Sequence, residues 1–309
     1  MITSFFKKST PINYLFVLFL TILSYVLYQF HHGILAFSVA GIALKALGFI
    51  GILGLFFFTN FIIKKNGLSK DSTYTVFFFL TFLLFSPSVL DNSRLIFSNF
   101  FILLALRRLV SLQTLKDPKE KIFDASICVF IATLFHFWAI LYIVLVFLSI
   151  FFHVARDYRH WVLPFLGFTT IAVIFIMASL IFDPTWISFL QKNSNVTFRI
   201  DYFQNVYQNI ALSLFATVAL FFVSTLVMSL PNRQLVLRSS YHKILTAFVI
   251  AIVIYVVSPD KSNDLLLFTF APLAMIATFH IEWSQINWQK EVVLYAVLAL
   301  GLFTFFSQL

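Results

Sequence analysis

Three polar stretches hold most of the side chains with the means to do chemistry. The first reads Leu90-Asp91-Asn92-Ser93-Arg94, and the second reads Pro259-Asp260-Lys261-Ser262-Asn263-Asp264. The third runs from Asp183 to Asn209 and contains Lys192, Arg199 and Asp201. Arginine suits bidentate contact with phosphate, whereas lysine acts as a point charge. A carboxylate beside them can serve as a general base or hold a divalent cation. Arg94, Arg199 and Lys261, with Lys45 from an apolar stretch upstream, are therefore candidates for holding a phosphate or diphosphate. Asp91, Asp201 and Asp264, with Asp260, are the candidate catalytic carboxylates. Each also has a plainer reading. Turns between helices need polar caps, and Asp or Asn is the ordinary choice. Asp201, two residues after Arg199, reads equally as half of a local ion pair.

No other motif names a reaction. The chain has no P-loop or dinucleotide-binding glycine spacing. Its seven histidines form no HExxH or HxxxH pair, and its single Cys128 rules out an intrachain disulfide or an all-cysteine metal site. No protein-built metal site is expected, and a divalent cation on the aspartates is the one cofactor the residues suggest.

The elements that must position these groups follow from composition. Hydrophobic residues make up 61% of the chain and charged residues 11%, against roughly 25% charged in an ordinary soluble domain. Phenylalanine occurs 43 times, in runs such as Phe77-Phe78-Phe79 that suit lipid-facing helices. Backbone groups in lipid must be satisfied internally, so helices are the default. The fold class expected is an all-α, polytopic transmembrane bundle, one integral membrane domain over residues 1–309. With about 20 residues needed per crossing, the spans are Ile12–Phe30, Ile34–Ile63, Thr73–Val89, Leu95–Ser111, Ile122–Phe137, Trp138–His153, Trp161–Phe182, Ile210–Leu230, Ile244–Ser258, Leu265–Phe279 and Val292–Phe306, eleven in all. The apolar stretch 34–63 is too long for one crossing, so an interfacial or re-entrant piece to about Leu44 is expected ahead of the spanning helix. The stretch 122–153 is read as a hairpin of two short helices turning near His136-Phe137-Trp138.

Orientation rests on the excess of Lys and Arg in cytoplasmic loops. With the N-terminus inside, sixteen basic residues fall on the inner side and four on the outer, Lys45 being unassigned. The three polar stretches then face outward, at a bacterial inner (cytoplasmic) membrane. Ionisable residues recessed between short helices default to a functional reading. The 183–209 stretch reads as an outer amphipathic loop, with Trp186, Phe189, Phe198, Tyr202, Phe203 and Tyr207 among polar groups. It is either anchored among headgroups or a lid over a lipid-linked substrate. The surplus of 21 basic over 12 acidic residues belongs to this topology, not to nucleic-acid binding, for which there is no soluble basic domain.

Phe5-Phe6-Lys7 with Pro11-Ile12-Asn13-Tyr14, the segment from Asn99 through Leu106-Arg107-Arg108-Leu109-Val110-Ser111-Leu112, and Asp264-Leu265-Leu266 with Ala271-Pro272-Leu273 resemble a flavobacterial (Bacteroidota) family of polytopic inner-membrane proteins. Some members of that family are labelled β-carotene monooxygenases, which would imply histidine motifs around an iron. Here His32-Gly33 is followed by Ile34-Leu35-Ala36-Phe37, without the acidic residue or second histidine. The layout is also similar to membrane glycosyltransferases and polymerases that use polyprenyl-phosphate sugars at the outer face. That resemblance implies membrane lipid and a polyprenyl-phosphate-linked sugar as partners. The first outer loop, Phe30-His31-His32-Gly33, lacks the carboxylate those glycosyltransferases carry there. Four readings stand open: a lipid-linked glycan enzyme, a non-catalytic subunit or assembly factor with a membrane-protein partner, a transporter, and a carotenoid-cleaving metalloenzyme.

Overall fold

The computed structural model of the chain describes residues 2–31, 39–198, 206–232, 235–259 and 261–309. Among the described residues the regular elements are all helical, and no strand occurs. In chain order the α-helices are α1 (Ile2–Phe6), α2 (Pro11–His31), α3 (Val39–Lys65), α4 (Tyr74–Phe85), α5 (Ser93–Val110), α6 (Pro118–Phe135), α7 (Ile143–His153), α8 (Tyr158–Phe182), α9 (Thr185–Asn193), α10 (Val206–Ser229), α11 (Leu235–Val257), α12 (Leu267–Trp283) and α13 (Asn287–Gln308). Single 3-10 turns follow α4 (Pro87–Asp91), precede α7 (Phe137–Tyr142) and precede α12 (Asn263–Leu266). Eight helices among the described residues are long and apolar enough to cross a membrane, and α4 and the Phe137–His153 stretch are shorter apolar helices. Contacts divide the chain into two compact units, one of residues 1–96, 201–233 and 262–309 and the other of 97–200 and 234–261.

The first unit is built around α4. All twelve residues of this helix are buried, with α2, α3, α10, α12 and α13 packed around it. The Phe77-Phe78-Phe79 run therefore faces protein on every side instead of lipid, which corrects the expectation from composition. The physical reason lies in the reference state. Lipid tails are as apolar as a Phe side chain, so helices in a bilayer gain from close packing and not from leaving water. Aromatic rings pack edge to face, an arrangement worth about 0.5–1.5 kcal/mol per pair. Phe78 meets Phe222 with centroids 5.3 Å apart at 75°, Phe82 meets Phe215 at 5.8 Å and 90°, and Phe79 meets Phe270 at 6.3 Å and 88°. Gly301 of α13 lets that helix approach: a Cβ there would lie 3.0 Å from the Thr81 carbonyl oxygen of α4.

α4 has twelve residues, about 18 Å at ~1.5 Å per residue, well short of a ~30 Å hydrocarbon core. Its chain continues as the Pro87–Asp91 turn, which packs against the Asn263–Leu266 turn leading into α12. The carbonyls left over at the end of α4 need partners, and the Gln308 amide of α13 donates to Phe85 O at 3.0 Å. α3 is a single helix from Val39 to Lys65, with no break near Leu44. Its 27 residues make about 40 Å, and the glycines along it do not interrupt the ladder. On α2 the buried positions Val17, Thr21, Ser24 and Tyr28 fall on one face at helical spacing.

The second unit holds most of α5, α6 to α9 and α11. The stretch 122–153 is broken at His136, whose extended backbone (φ −142°, ψ 109°) ends α6. The chain then folds back, so that the Phe137–Tyr142 turn and α7 pack on α6. α8 docks on α6 through a narrow strip, His160, Pro164, Gly167 and Ser179, and exposes the rest of its apolar surface. In both units buried Ser and Thr hydroxyls donate to carbonyls three or four residues back in their own helices, as Thr59 does to Leu55 O (2.6 Å) and Ser126 to Ile122 O (2.7 Å).

Candidate functional site

Where the Pro87–Asp91 and Asn263–Leu266 turns of the first unit meet, side chains from α2, α3 and both turns form one polar network. The Lys45 ammonium of α3 donates to Gln29 Oε1 at 2.5 Å and lies 4.0 Å from Asp91 Oδ1. The Gln29 amide of α2 donates to the same Asp91 oxygen at 2.7 Å. The buried Tyr28 sits beside Asp91, within electrostatic reach of Asp264 as well. Asp264 accepts the Ser88 hydroxyl at one oxygen and the Asn92 amide, at 3.3 Å, at the other. Asn263 donates to Gln208 O at 3.0 Å, tying the Asp264 turn to the start of α10.

This geometry separates caps from candidates. Asn92 is a helix cap: its Oδ1 accepts the Leu95 backbone N–H at 3.3 Å, one turn into α5. Asp91 and Asp264 are engaged by side chains instead. Two carboxylates and one lysine make the cluster net acidic, which suits proton transfer better than a cationic phosphate pocket. Lys45 pairs with Gln29 and Asp91, and Arg94 is exposed on the first turn of α5. Among the described residues no group of three or more His, Cys, Asp or Glu side chains is gathered as for a metal ion.

Lys261 belongs to the second unit. It is buried, and its ammonium donates to the Thr197 carbonyl and, at 3.3 Å, to Ser258 O. The Thr197 hydroxyl returns a hydrogen bond to Pro259 O at 3.0 Å, so this lysine works as a clamp between two backbone segments. His136 Nε2 lies 3.1 Å from the Ser258 hydroxyl in the same region. Arg199, Asp201 and Asp260 lie outside the described residues. In the 183–209 stretch the described part opens with α9, an amphipathic helix without a buried residue. Asp183 begins it by accepting the Thr185 backbone N–H at 2.9 Å, which holds this carboxyl below the usual carboxylate range.

A second site lies at the other end of α4 and was not anticipated from sequence. A cavity of about 1100 Å³ opens between α1, the linker before α4 and the α12–α13 connection. Lys7, Lys70, Lys290, Trp283 and Trp288 are among its lining residues. Its walls are held by two carboxylates. Glu282 accepts the hydroxyls of Ser69 (2.7 Å) and Ser72 (2.6 Å) and the Lys70 backbone N–H (2.9 Å), and Glu291 accepts the Thr3 hydroxyl. These residues come from three separate parts of the chain, each of which reads alone as an ordinary loop. The one signal in sequence is the pair of tryptophans beside Lys290 and the two glutamates.

With only helices as regular elements among its described residues, eight of them suited to crossing a bilayer, the molecule is of the multi-pass membrane class. Within the first unit the Asp91–Asp264 network and the cavity lie at the two ends of the buried α4. Residues 5–309 match the model of a family of unknown function, DUF6427, and the chain belongs to that family. No curated protein and no solved structure matches it.

Proposed function

We propose that the protein is an inner-membrane enzyme of lipid-linked glycan chemistry, working where the Pro87–Asp91 and Asn263–Leu266 turns meet. The observation that carries this reading is the meeting of Asp91 and Asp264. The chain brings them from distant segments onto adjacent turns, beside Lys45, and uses neither as a helix cap. Asp264 is half-buried among apolar helices, a costly place for a carboxylate that defaults to function, and Asp91 stands exposed beside it. In glycosyl transfer from a polyprenyl-phosphate sugar, one carboxylate would take the proton of the acceptor hydroxyl. The acceptor oxygen then bonds the anomeric carbon as the sugar–phosphate bond breaks, and the electron pair leaves with the lipid phosphate. Lys45 is the basic group at hand for that developing charge. Eleven crossings with the N-terminus inside (the eight long helices with α4, α6 and the Phe137–His153 stretch) would put these turns on the outer face.

The test is Asp91→Asn and Asp264→Asn, each near-isosteric, with cell-surface glycans analysed in the native host. General-base loss is expected to lower product by about 100-fold or more, at unchanged protein level and thermal midpoint. Normal glycans in both variants would sink the reading. One observation favours a second reading, a non-catalytic subunit: α8 exposes most of its length and keeps only a narrow strip against α6. A membrane partner would cover that face. It would co-purify with the wild-type chain and be lost on placing Glu at Ile174.

A further inference from the structure

We propose that the cavity between α1 and the α12–α13 connection binds the phosphate of an anionic amphiphile, a phospholipid headgroup with its acyl chains leaving along the tryptophans. The inference goes beyond the glycan reading and uses different residues, at the opposite end of α4.

The cavity is a built feature, because its walls are cross-tied. The Tyr74 hydroxyl donates to Thr3 O at 2.8 Å, the Thr73 backbone N–H to Phe6 O at 3.0 Å, and the Asn13 amide to Phe5 O at 2.7 Å. These bonds fix α1 as one wall. Glu282 fixes the linker before α4 as another, and Glu291 holds α1 to the start of α13. Both glutamates help to hold the walls, Glu291 through Oε1 alone, its buried Oε2 accepting no hydrogen bond among the described residues. Two cationic charges are left open as well: among the described residues the ammonium groups of Lys7 and Lys290 make no ion pair and no hydrogen bond. Lys70 adds a third, loosely held by Glu282 O at 3.4 Å.

The apolar part of the ligand follows from the rim. Trp283 and Trp288 stand 49% and 65% exposed, Trp283 stacking on Phe279 with centroids 6.3 Å apart. Indoles are favoured where an apolar body meets a wet boundary. At about 1100 Å³ the cavity exceeds what a bare phosphate needs and lies just above the range of small-ligand sites, roughly 300–1,000 Å³. This end of the unit also carries the exposed Lys8 and Lys65, as expected for a surface facing an anionic leaflet, while Lys64 is paired with Asp71 at 2.8 Å. A phosphate ringed by lysines, with an apolar chain beside two indoles, satisfies both halves of the site.

The experiment is native mass spectrometry of the full chain in detergent, titrated with dioleoyl phosphatidylglycerol or with glycerol 3-phosphate. Wild type should retain the lipid and not the soluble phosphate. A lysine near an anionic surface contributes about fivefold in affinity, so Lys7→Gln with Lys290→Gln should weaken lipid retention by about 25-fold. A charge-matched control, Lys116→Gln with Lys119→Gln, removes two exposed lysines outside the cavity and should leave retention unchanged. Equal loss in both pairs would mean general surface attraction and overturn the site. Equal retention of glycerol 3-phosphate would overturn the amphiphile. If the double variant does not fold, Lys290→Glu replaces it. An acidic residue in the first turn of α13 favours the helix and should still abolish retention.

Discussion

Replacing Gly167 by alanine sets two effects of opposite sign against each other, and the structure decides between them. Alanine is favoured over glycine within a helix by about 0.8–1 kcal/mol, so on propensity alone α8 would gain. A Cβ at Gly167 would however lie 2.8 Å from Ser126 Cβ and 3.4 Å from the Ile127 nitrogen of α6. Carbon atoms rest at about 3.5–4.0 Å, so the two helices must separate by roughly 1 Å. Ser126 cannot yield, since its Cβ is fixed to the α6 backbone and its hydroxyl is bonded to Ile122 O. Overpacking of this kind costs about 1–3 kcal/mol, and α8 has few other buried positions with which to compensate. The net expectation is a loss of about 1 kcal/mol, a fall of about 2–4 °C for a unit of this size. The assay is thermal unfolding of the purified protein in detergent by tryptophan fluorescence, at one scan rate because such unfolding is often irreversible. Adding Ser126→Gly should return most of the loss. A midpoint that rises in Gly167→Ala would refute the close α6–α8 approach.

Two further expectations concern the polar ties. Glu282→Ala removes the acceptor of three hydrogen bonds from the linker before α4; for a part-exposed group the loss should be about 2–4 kcal/mol. It would be read as faster amide exchange over 69–73, and unchanged exchange would count against the latch. Lys261→Met leaves the Thr197 and Ser258 carbonyls without their shared donor, at about 1–3 kcal/mol; limited proteolysis should then cut the 194–198 segment sooner, and an unchanged cleavage rate would show that the clamp is idle.

Much of the architecture was legible in the residues because lipid imposes a simple rule, that apolar stretches of sufficient length become helices. The break at His136 was readable for the same reason, since 122–153 is too long for one helix and basic clusters flank it. The Asp91 and Asp264 turns were readable as polar interruptions between short apolar helices. Their meeting was not, because it depends on how α4 and α12 pair.

What the sequence determined by itself is the membrane class, the helical elements and the positions of the polar turns, all set by local composition and length. The tertiary structure alone decided which apolar surfaces are core. Phe77-Phe78-Phe79 are as apolar as the outward face of α8, yet one is wrapped by five helices and the other left open. It also decided which charges act together: Lys45 with Asp91, Lys261 with a backbone carbonyl, and Lys7 with Lys290 around a cavity. In an apolar solvent every apolar face is equally content with lipid. The choice among partners therefore rests on shape and on a few hydrogen bonds, and those exist only once the chain has folded.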